Sequence, residues 1–290
     1  MRLLWPKPSA RVAAVGVALP GFLDATRSTV IHLSNLSSLD GVKLRRRLEQ
    51  RIGVPVILDT DSNAGAVAEA LAGAGRGFER VLYLTMGTGL GAAFVVGGAP
   101  ARVSRHTVGQ VAHIPVDPAG PLCRCGERGC AEAILCARGI LWRARRHGLR
   151  GVRTTEELWI LAKGRRSSAR SEARCNSPSE TRCNSRSEAR SFTRSKACSD
   201  ARRAAARRTW REVGTLAARL CVILGTLFSP EVIVFGGGVA GAADLFLPVV
   251  RTSLKRRLAR RLRRSVEVRA AARGRLAGAI GAAILARCAT

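Results

Sequence analysis

Unbroken apolar runs at 12–19 (VAAVGVAL), 54–58 (VPVIL), 81–86 (VLYLTM), 92–98 (AAFVVGG) and 231–235 (EVIVF) have the length and β-branched content of buried strands. Each stops at a break. Pro20-Gly21 closes the first, and the polar run Asp59-Thr60-Asp61-Ser62-Asn63 follows the second. Gly87-Thr88-Gly89-Leu90-Gly91 joins the third to the fourth as a hairpin turn of nearly bare backbone, and Gly236 to Gly241 follow the last. Between them the apolar period lengthens to that of a helix. Residues 64–75 (AGAVAEALAGAG) predict a small-residue helix capped by Asp61 or Ser62, and 131–147, 208–227, 250–264 and 274–287 predict four more. Pro230 ends the 208–227 helix, and Leu254, Leu258 and Leu262 form one apolar stripe along 250–264. Strands alternating with helices predict an α/β fold of two lobes.

From about Gly164 this patterning lapses. Residues 171–202 (SEARCNSP, SETRCNSR, SEARSFTR, SKACSDAR) are an imperfect eight-residue repeat of Ser and Arg, nearly devoid of large apolar side chains. Such a tract buries too little surface to offset its ordering entropy, so 165–205 is expected to be a disordered or weakly helical insertion. Cys175, Cys183 and Cys198 read as products of the repeat rather than metal ligands.

Charge sharpens the same division. The chain of 290 residues carries a net +29, but residues 138–211 hold 21 Arg and Lys against 6 acids, and 251–275 hold 11 against 1. The motif-bearing remainder is close to neutral. Aromatics are only 4% of the chain, too few to interleave with these arginines for base stacking. Non-specific adhesion to polyanions is therefore expected, and a specific nucleic-acid reader is not. The opening MRLLWPKPSARV has no apolar core of signal-peptide length, and the most apolar span, 213–228, is interrupted by Arg219. The expectation is a cytoplasmic protein that does not enter the membrane.

The densest chemistry lies in HIPVDPAGPLCRCGERGCAE, residues 113–132. His113, Cys123, Cys125 and Cys130 offer one imidazole and three thiols within a short span, a donor set suited to tetrahedral zinc. The C-x-C-x4-C spacing requires the chain to fold back at Gly126 and Gly129. Free thiols, or disulfides in an oxidising compartment, are the alternatives.

Together these motifs resemble the ROK family, which gathers bacterial sugar kinases and sugar-responsive repressors. The matching blocks are, in order, DTDSNAGAVAE, LYLTMGTGLGAAF, GQVAH…CRCGERGCAE and SPEVIVFGGGVAG, spread over residues 11–140 and 208–287. The resemblance implies an actin-like (ribonuclease H-like) two-lobed ATPase fold. Its small lobe would span 1–68 joined by the C-terminal helix 274–290, and its large lobe 69–273. It also implies transfer of a phosphoryl group from ATP, with Mg²⁺, to a hexose, and assembly as a homodimer. Asp61 matches the family's catalytic aspartate, the base for the sugar hydroxyl. Asp59, on the opposite side of an extended run, is the poorer candidate. Thr60, Gln110, His113 and Glu132 would contact the sugar. Gly87, Thr88, Gly89 and Gly91 would cradle ATP phosphates, and Gly236, Gly237 and Gly238 would lie against the adenosine. His113, Cys123, Cys125 and Cys130 would hold a structural zinc.

The sequence also departs from the family pattern. Family kinases open with a strand and a D-x-G-x-T phosphate loop ahead of the Pro-Gly turn, and residues 1–10 do not supply it. The expectation is an N-terminally truncated copy with half of the phosphate clamp missing and turnover reduced by orders of magnitude. Thr60 stands where the family has asparagine, and Gln110 where it has glutamate. A non-catalytic sugar-sensing module without its DNA-binding domain is the alternative function. A basic protein associated with RNA or DNA ranks below both.

Overall fold

The computed structural model describes residues 12–33, 36–102, 109–164, 185–259 and 266–288, and over 185–197 it describes the helical path of the chain. The elements run in the order β1 (Val15–Leu19), β2 (Phe22–Leu23), β3 (Val30–His32), α1 (Leu44–Ile52), β4 (Val56–Thr60) and α2 (Asp61–Ala72). Strands β5 (Arg80–Met86), β6 (Leu90–Val96) and β7 (Ala99–Pro100) precede helices α3 (Ala131–Leu135), α4 (Ala137–Arg146), α5 (Thr155–Lys163) and α6 (Ser185–Phe228). The chain closes with β8 (Val232–Gly236), α7 (Ala243–Arg257), β9 (Glu267–Ala270) and α8 (Ala277–Arg287).

The larger sheet has the order β7-β6-β5-β8-β9, antiparallel through β6 and parallel from β5 to β9. Its central strands β5, β6 and β8 are largely apolar on both faces because both are covered. Val81 and Tyr83 of β5 and Val232 and Val234 of β8 face α2, while Leu82, Leu84, Ile233 and Phe235 join the main core under α3 to α7. In that core Trp210 stacks on Phe246 at 6.1 Å, and Phe235 meets Phe246 edge-on at 5.5 Å. The smaller sheet pairs β1 with β4 in parallel, and Leu23, Val30, Leu33, Val56 and Leu58 form a separate core beneath α1.

Helices α2 and α8 lie against one another between the two sheets. Their Ala/Gly composition is what lets them approach: a Cβ on Gly281 would collide with the Ala64 carbonyl, and one on Gly16 with the Ala282 carbonyl. Glu69 locks the joint. Its fully buried carboxylate accepts N–H bonds from Ala74 (2.8 Å), Ala272 (3.0 Å) and Arg273 (2.7 Å). Glu69→Ala would strand those three donors, so we expect a loss of about 3–5 kcal/mol in denaturant unfolding. Glu69→Gln, which keeps an acceptor oxygen, should lose less.

Several sequence expectations change. Of the tract expected to be disordered or weakly helical, residues 185–205 are helical and continuous with the fold, as the first half of the 44-residue helix α6. No glycine or proline occurs between 185 and 213, and once the packed half from Ala206 onward nucleates a helix, extending it costs little. The remainder of the tract, 165–184, with Cys175 and Cys183, lies outside the described residues. The helix expected over 131–147 is two helices, broken at Cys136, whose backbone is extended (φ −73°, ψ 163°). The helix expected over 250–264 begins at Ala243 and ends at Arg257. Leu254 and Leu258 are buried, and Leu262 is outside the described residues. β4 runs two residues further than its apolar run, to Thr60, so Thr60 rather than Asp61 or Ser62 caps α2, accepting from Asn63 N at 3.2 Å.

Candidate active site

The polar run after β4 turns into α2 at the edge of the smaller sheet. Asp61 opens the helix with its side chain exposed, and its Oδ1 accepts from Ser62 N (2.7 Å) and Ser62 Oγ (3.2 Å). The crowding of protein around the carboxyl penalises its charged form and raises its pKa above the ordinary value, against the lowering effect of the two Ser62 bonds. Thr60 is buried, with its hydroxyl oxygen occupied as the helix cap.

Three other segments converge on this helix end. The β5–β6 turn lies against it, since a Cβ on Gly91 would collide with Ser62 Oγ. The far side of the same turn faces Glu132, whose Oε1 would lie 3.0 Å from a Cβ on Gly89. The turn is tied to α4 by the bond from Ala137 N to the Gly87 carbonyl at 2.8 Å. The third segment is the loop after β8. Gly237 has φ +80°, and a Cβ there would collide with the Met86 backbone beside Gly87. Gly237 and Gly238 are exposed while Gly236 is buried against Tyr83. The two glycine-rich turns are therefore neighbours across the carboxyl ends of the parallel strands β5 and β8, with the Gly87 amide closed onto the Gly89 carbonyl at 2.9 Å within the first of them.

Glu132 reaches the site because the preceding loop folds back on itself. Cys123 N donates to the Glu127 carbonyl (2.7 Å), Gly129 N to the Pro121 carbonyl (3.0 Å) and Val116 N to the Gly129 carbonyl (2.8 Å). Gly126 and Gly129 have φ of +97° and +72°, as the spacing of the cysteines requires. The result gathers His113, Cys123, Cys125 and Cys130 with all four donor atoms within 4.8 Å of one another. Cys123 Sγ lies 3.7 Å from His113 Nδ1, and Cys125 Sγ 3.6 Å from Cys130 Sγ. Tetrahedral zinc with Zn–S of about 2.3 Å and Zn–N of about 2.0 Å spaces its ligand atoms by about 3.4–3.8 Å, so these four residues fit that ion and could hold it. The loop's apolar cluster consists of little besides Cys123, Cys130 and Ala133. Burial pushes the Cys130 thiol well up, to about 12, while the exposed Cys125 is lowered, chiefly by a backbone bond from Glu127. Gln110 is exposed just ahead of the short 3-10 turn Val111–His113. Cys198 is exposed and outside this cluster.

Asp59 occupies a different place from Asp61. Its side chain is only 3% exposed, and it takes Arg27 Nη1 (3.2 Å) and Arg102 Nη2 (2.6 Å) on Oδ2. Nothing local in the sequence marks either arginine, since they lie 32 and 43 residues away along the chain. Arg27 adopts φ +54°, rare for a non-glycine residue, within a turn closed by Asp24. Burial raises the Asp24 pKa, but bonds from Ser28 N, Thr29 N and the Ser28 and Thr26 hydroxyls outweigh it and hold the carboxyl far below its usual range.

The family model described as ROK family matches residues 6–289. The glucokinase of Streptomyces coelicolor is 31% identical over 282 residues, spanning 95% of this chain and 80% of that protein. The solved structure of a ROK family glucokinase from Streptomyces griseus, in complex with glucose and AMPPNP, is 30% identical with a TM-score of 0.71, over 97% of this chain and 83% of that one. The DNA-binding transcriptional repressor Mlc of Escherichia coli is 26% identical, over 86% of this chain and 54% of its own length.

Proposed function

The chain belongs to the ROK family, and from that membership we propose that it phosphorylates a hexose at the expense of ATP, with Asp61 as the base. The observation that carries this reading is the convergence of the Asp61 helix end, the Gly87–Gly91 turn, the Gly236–Gly238 loop and Glu132 on one place. In this reading a sugar hydroxyl hydrogen-bonds to Asp61. As its oxygen bonds to the γ-phosphorus, the proton passes to the Asp61 carboxylate and the bond from phosphorus to the bridging oxygen breaks, leaving its electron pair on ADP. The Gly89 amide and the Thr88 hydroxyl donate to the phosphates, Gly87 and Gly91 have no side chain to hinder their approach, and Mg²⁺ carried with the nucleotide would neutralise their charge. Gln110, His113 and Glu132 read the sugar. Zinc held by His113, Cys123, Cys125 and Cys130 would be structural, since four protein ligands leave no open position, and it would fix the loop that presents Glu132.

Gly237 gives a first check of the nucleotide half. Gly237→Ala must leave φ +80° or collide with Met86, so we expect binding of a non-hydrolysable ATP analogue to weaken about tenfold or more by calorimetry, with sugar binding little changed.

The reaction itself is tested by coupled measurement of ADP release with glucose, mannose, fructose and N-acetylated hexoses. Sugar-dependent release that disappears in Asp61→Asn supports the kinase. The similarity to the Mlc repressor supports a second reading, a sugar-responsive module without turnover. Sugar binding independent of nucleotide, with no ADP release from any hexose, would favour it instead.

A further inference from the structure

Asp59 is more than a poorer copy of Asp61. Its carboxylate is buried and has all its neighbours in place: Oδ1 accepts from Thr60 N and from Asn63 Nδ2, both at 2.8 Å, and Oδ2 receives Arg27 and Arg102. Thr60 and Asn63 flank Asp61 on the β4–α2 junction, so the Oδ1 bonds fix the backbone that carries the base. Arg27 belongs to the Asp24–Thr29 turn that joins β2 to β3, an antiparallel pair separate from the smaller sheet that carries Asp59, and Arg102 leaves the larger sheet just after β7, on the way to Gln110 and His113. One side chain thus joins three parts of the molecule: the β2–β3 turn, the base-bearing helix end at the edge of the smaller sheet, and the strand exit that leads toward the segment expected to read the sugar. Arg102 would move relative to Asp59 if the larger and smaller sheets moved apart.

Two guanidiniums on one carboxylate oxygen are a costly way to satisfy a buried charge, and a hydrophobic contact would hold the sheets together equally well. The arrangement instead gives a directional tie, because Arg–carboxylate bonds lose strength quickly as their angle changes. We infer that Asp59 is a positioning residue: an ionic latch, through Arg27 and Arg102, that sets where Asp61 stands when the sugar site is formed. The inference rests on the reading of Asp61 as a sugar-contacting base, and deepens it.

The test compares wild type, Asp59→Asn, Asp59→Glu, the pair Arg27→Met with Arg102→Met, and each of these combined with Asp61→Asn. The probes are glucose and mannose, read by titration calorimetry and by ADP release, with unfolding curves on every variant to correct for the folded fraction. Asp59→Asn places an amide donor against two guanidiniums while preserving an acceptor for Thr60 and Asn63. It should weaken sugar binding about tenfold and reduce kcat about thirtyfold, roughly 2 kcal/mol of transition-state positioning. The arginine double variant should do the same and add nothing to Asp59→Asn, while Asp59→Glu recovers part of the loss. In the Asp61→Asn background none of these changes should matter further, because the latch acts through Asp61. A merely structural Asp59 would lower stability and give effects that add to those of Asp61→Asn. That additivity, or sugar affinity and kcat within twofold of wild type in Asp59→Asn, would overturn the inference. If wild type binds sugar without turnover, the kinase reading fails while the calorimetric cycle still decides the latch. If wild type binds no sugar at all, both fall.

Discussion

Replacing Asp61 by asparagine should abolish sugar-dependent ADP release, by about 10³-fold in kcat, while sugar affinity changes far less. Loss of a general base from a positioned site is worth about 10²–10⁴-fold, and at 10³ the barrier rises by about 4 kcal/mol. Asparagine keeps the size and an acceptor oxygen but cannot take a proton at neutral pH. The pH profile carries the second half of this expectation. Desolvation by the protein crowded around the carboxyl raises the Asp61 pKa, so the ionised base is lost as pH falls through a value above that of an ordinary carboxylate, and kcat/KM of the wild type should decline on the acid side correspondingly early. Stability must run the other way. A carboxyl whose folded-state pKa lies above its unfolded value stabilises the fold fully below the unfolded pKa, and that contribution is lost as pH rises through the folded one. At neutral pH Asp61→Asn should therefore be at least as stable as wild type, and more stable if nothing else changes. A variant that is both inactive and less stable would argue that Asp61 is a structural helix-opening residue.

The second large effect is expected from the histidine–cysteine loop. Purified protein should contain one zinc per chain, and Cys130→Ser, or dialysis against a strong chelator, should remove it. Because Cys123 and Cys130 are themselves much of the loop's apolar cluster, nothing else replaces the metal's cross-link. The loop should open, Glu132 should leave its place beside Gly89, and sugar affinity should fall by about ten- to a hundredfold. The nucleotide analogue should bind nearly as before, since Gly87 and Gly237 are held by the sheet ends and by Ala137. Wild-type protein with no stoichiometric zinc and with Cys123 and Cys130 readily alkylated in the native state would rule this out.

Among the described residues no helix is long and apolar enough to cross a membrane. Part of the basic excess ends helices. Lys255, Arg256 and Arg257 end α7, where cations suit the helix dipole, and Arg145 and Arg146 end α4 in the same way.

What was legible in the sequence was whatever a few consecutive residues enforce. The apolar runs gave β5 and β8 to within one residue at each end and β6 two residues late, because a strand buried on both faces must be apolar throughout. The bend at Gly237, and the folding back of the histidine–cysteine loop at Gly126 and Gly129, followed from backbone that only glycine adopts readily. The helix registers were less secure. Cys136 breaks an amphipathic run that reads as continuous, and the Ser/Arg repeat from 185 onward is drawn into α6 by packing that begins only at Ala206.

The sequence alone determined the long buried strands, the donor set of the histidine–cysteine loop and the candidate base, since each depends on residue types at short spacing; β2, β3, α1, β7, α5 and β9 were not legible in it. Only the tertiary structure decided that Gly91 meets Ser62, that Gly89 meets Glu132, and that Asp59 is claimed by Arg27 and Arg102. Those contacts join residues about thirty or more positions apart, and no local preference of the chain encodes them. They exist because burying the two sheets' apolar faces against α2 and α8 leaves one place where the strand ends, the helix start and the loop can meet.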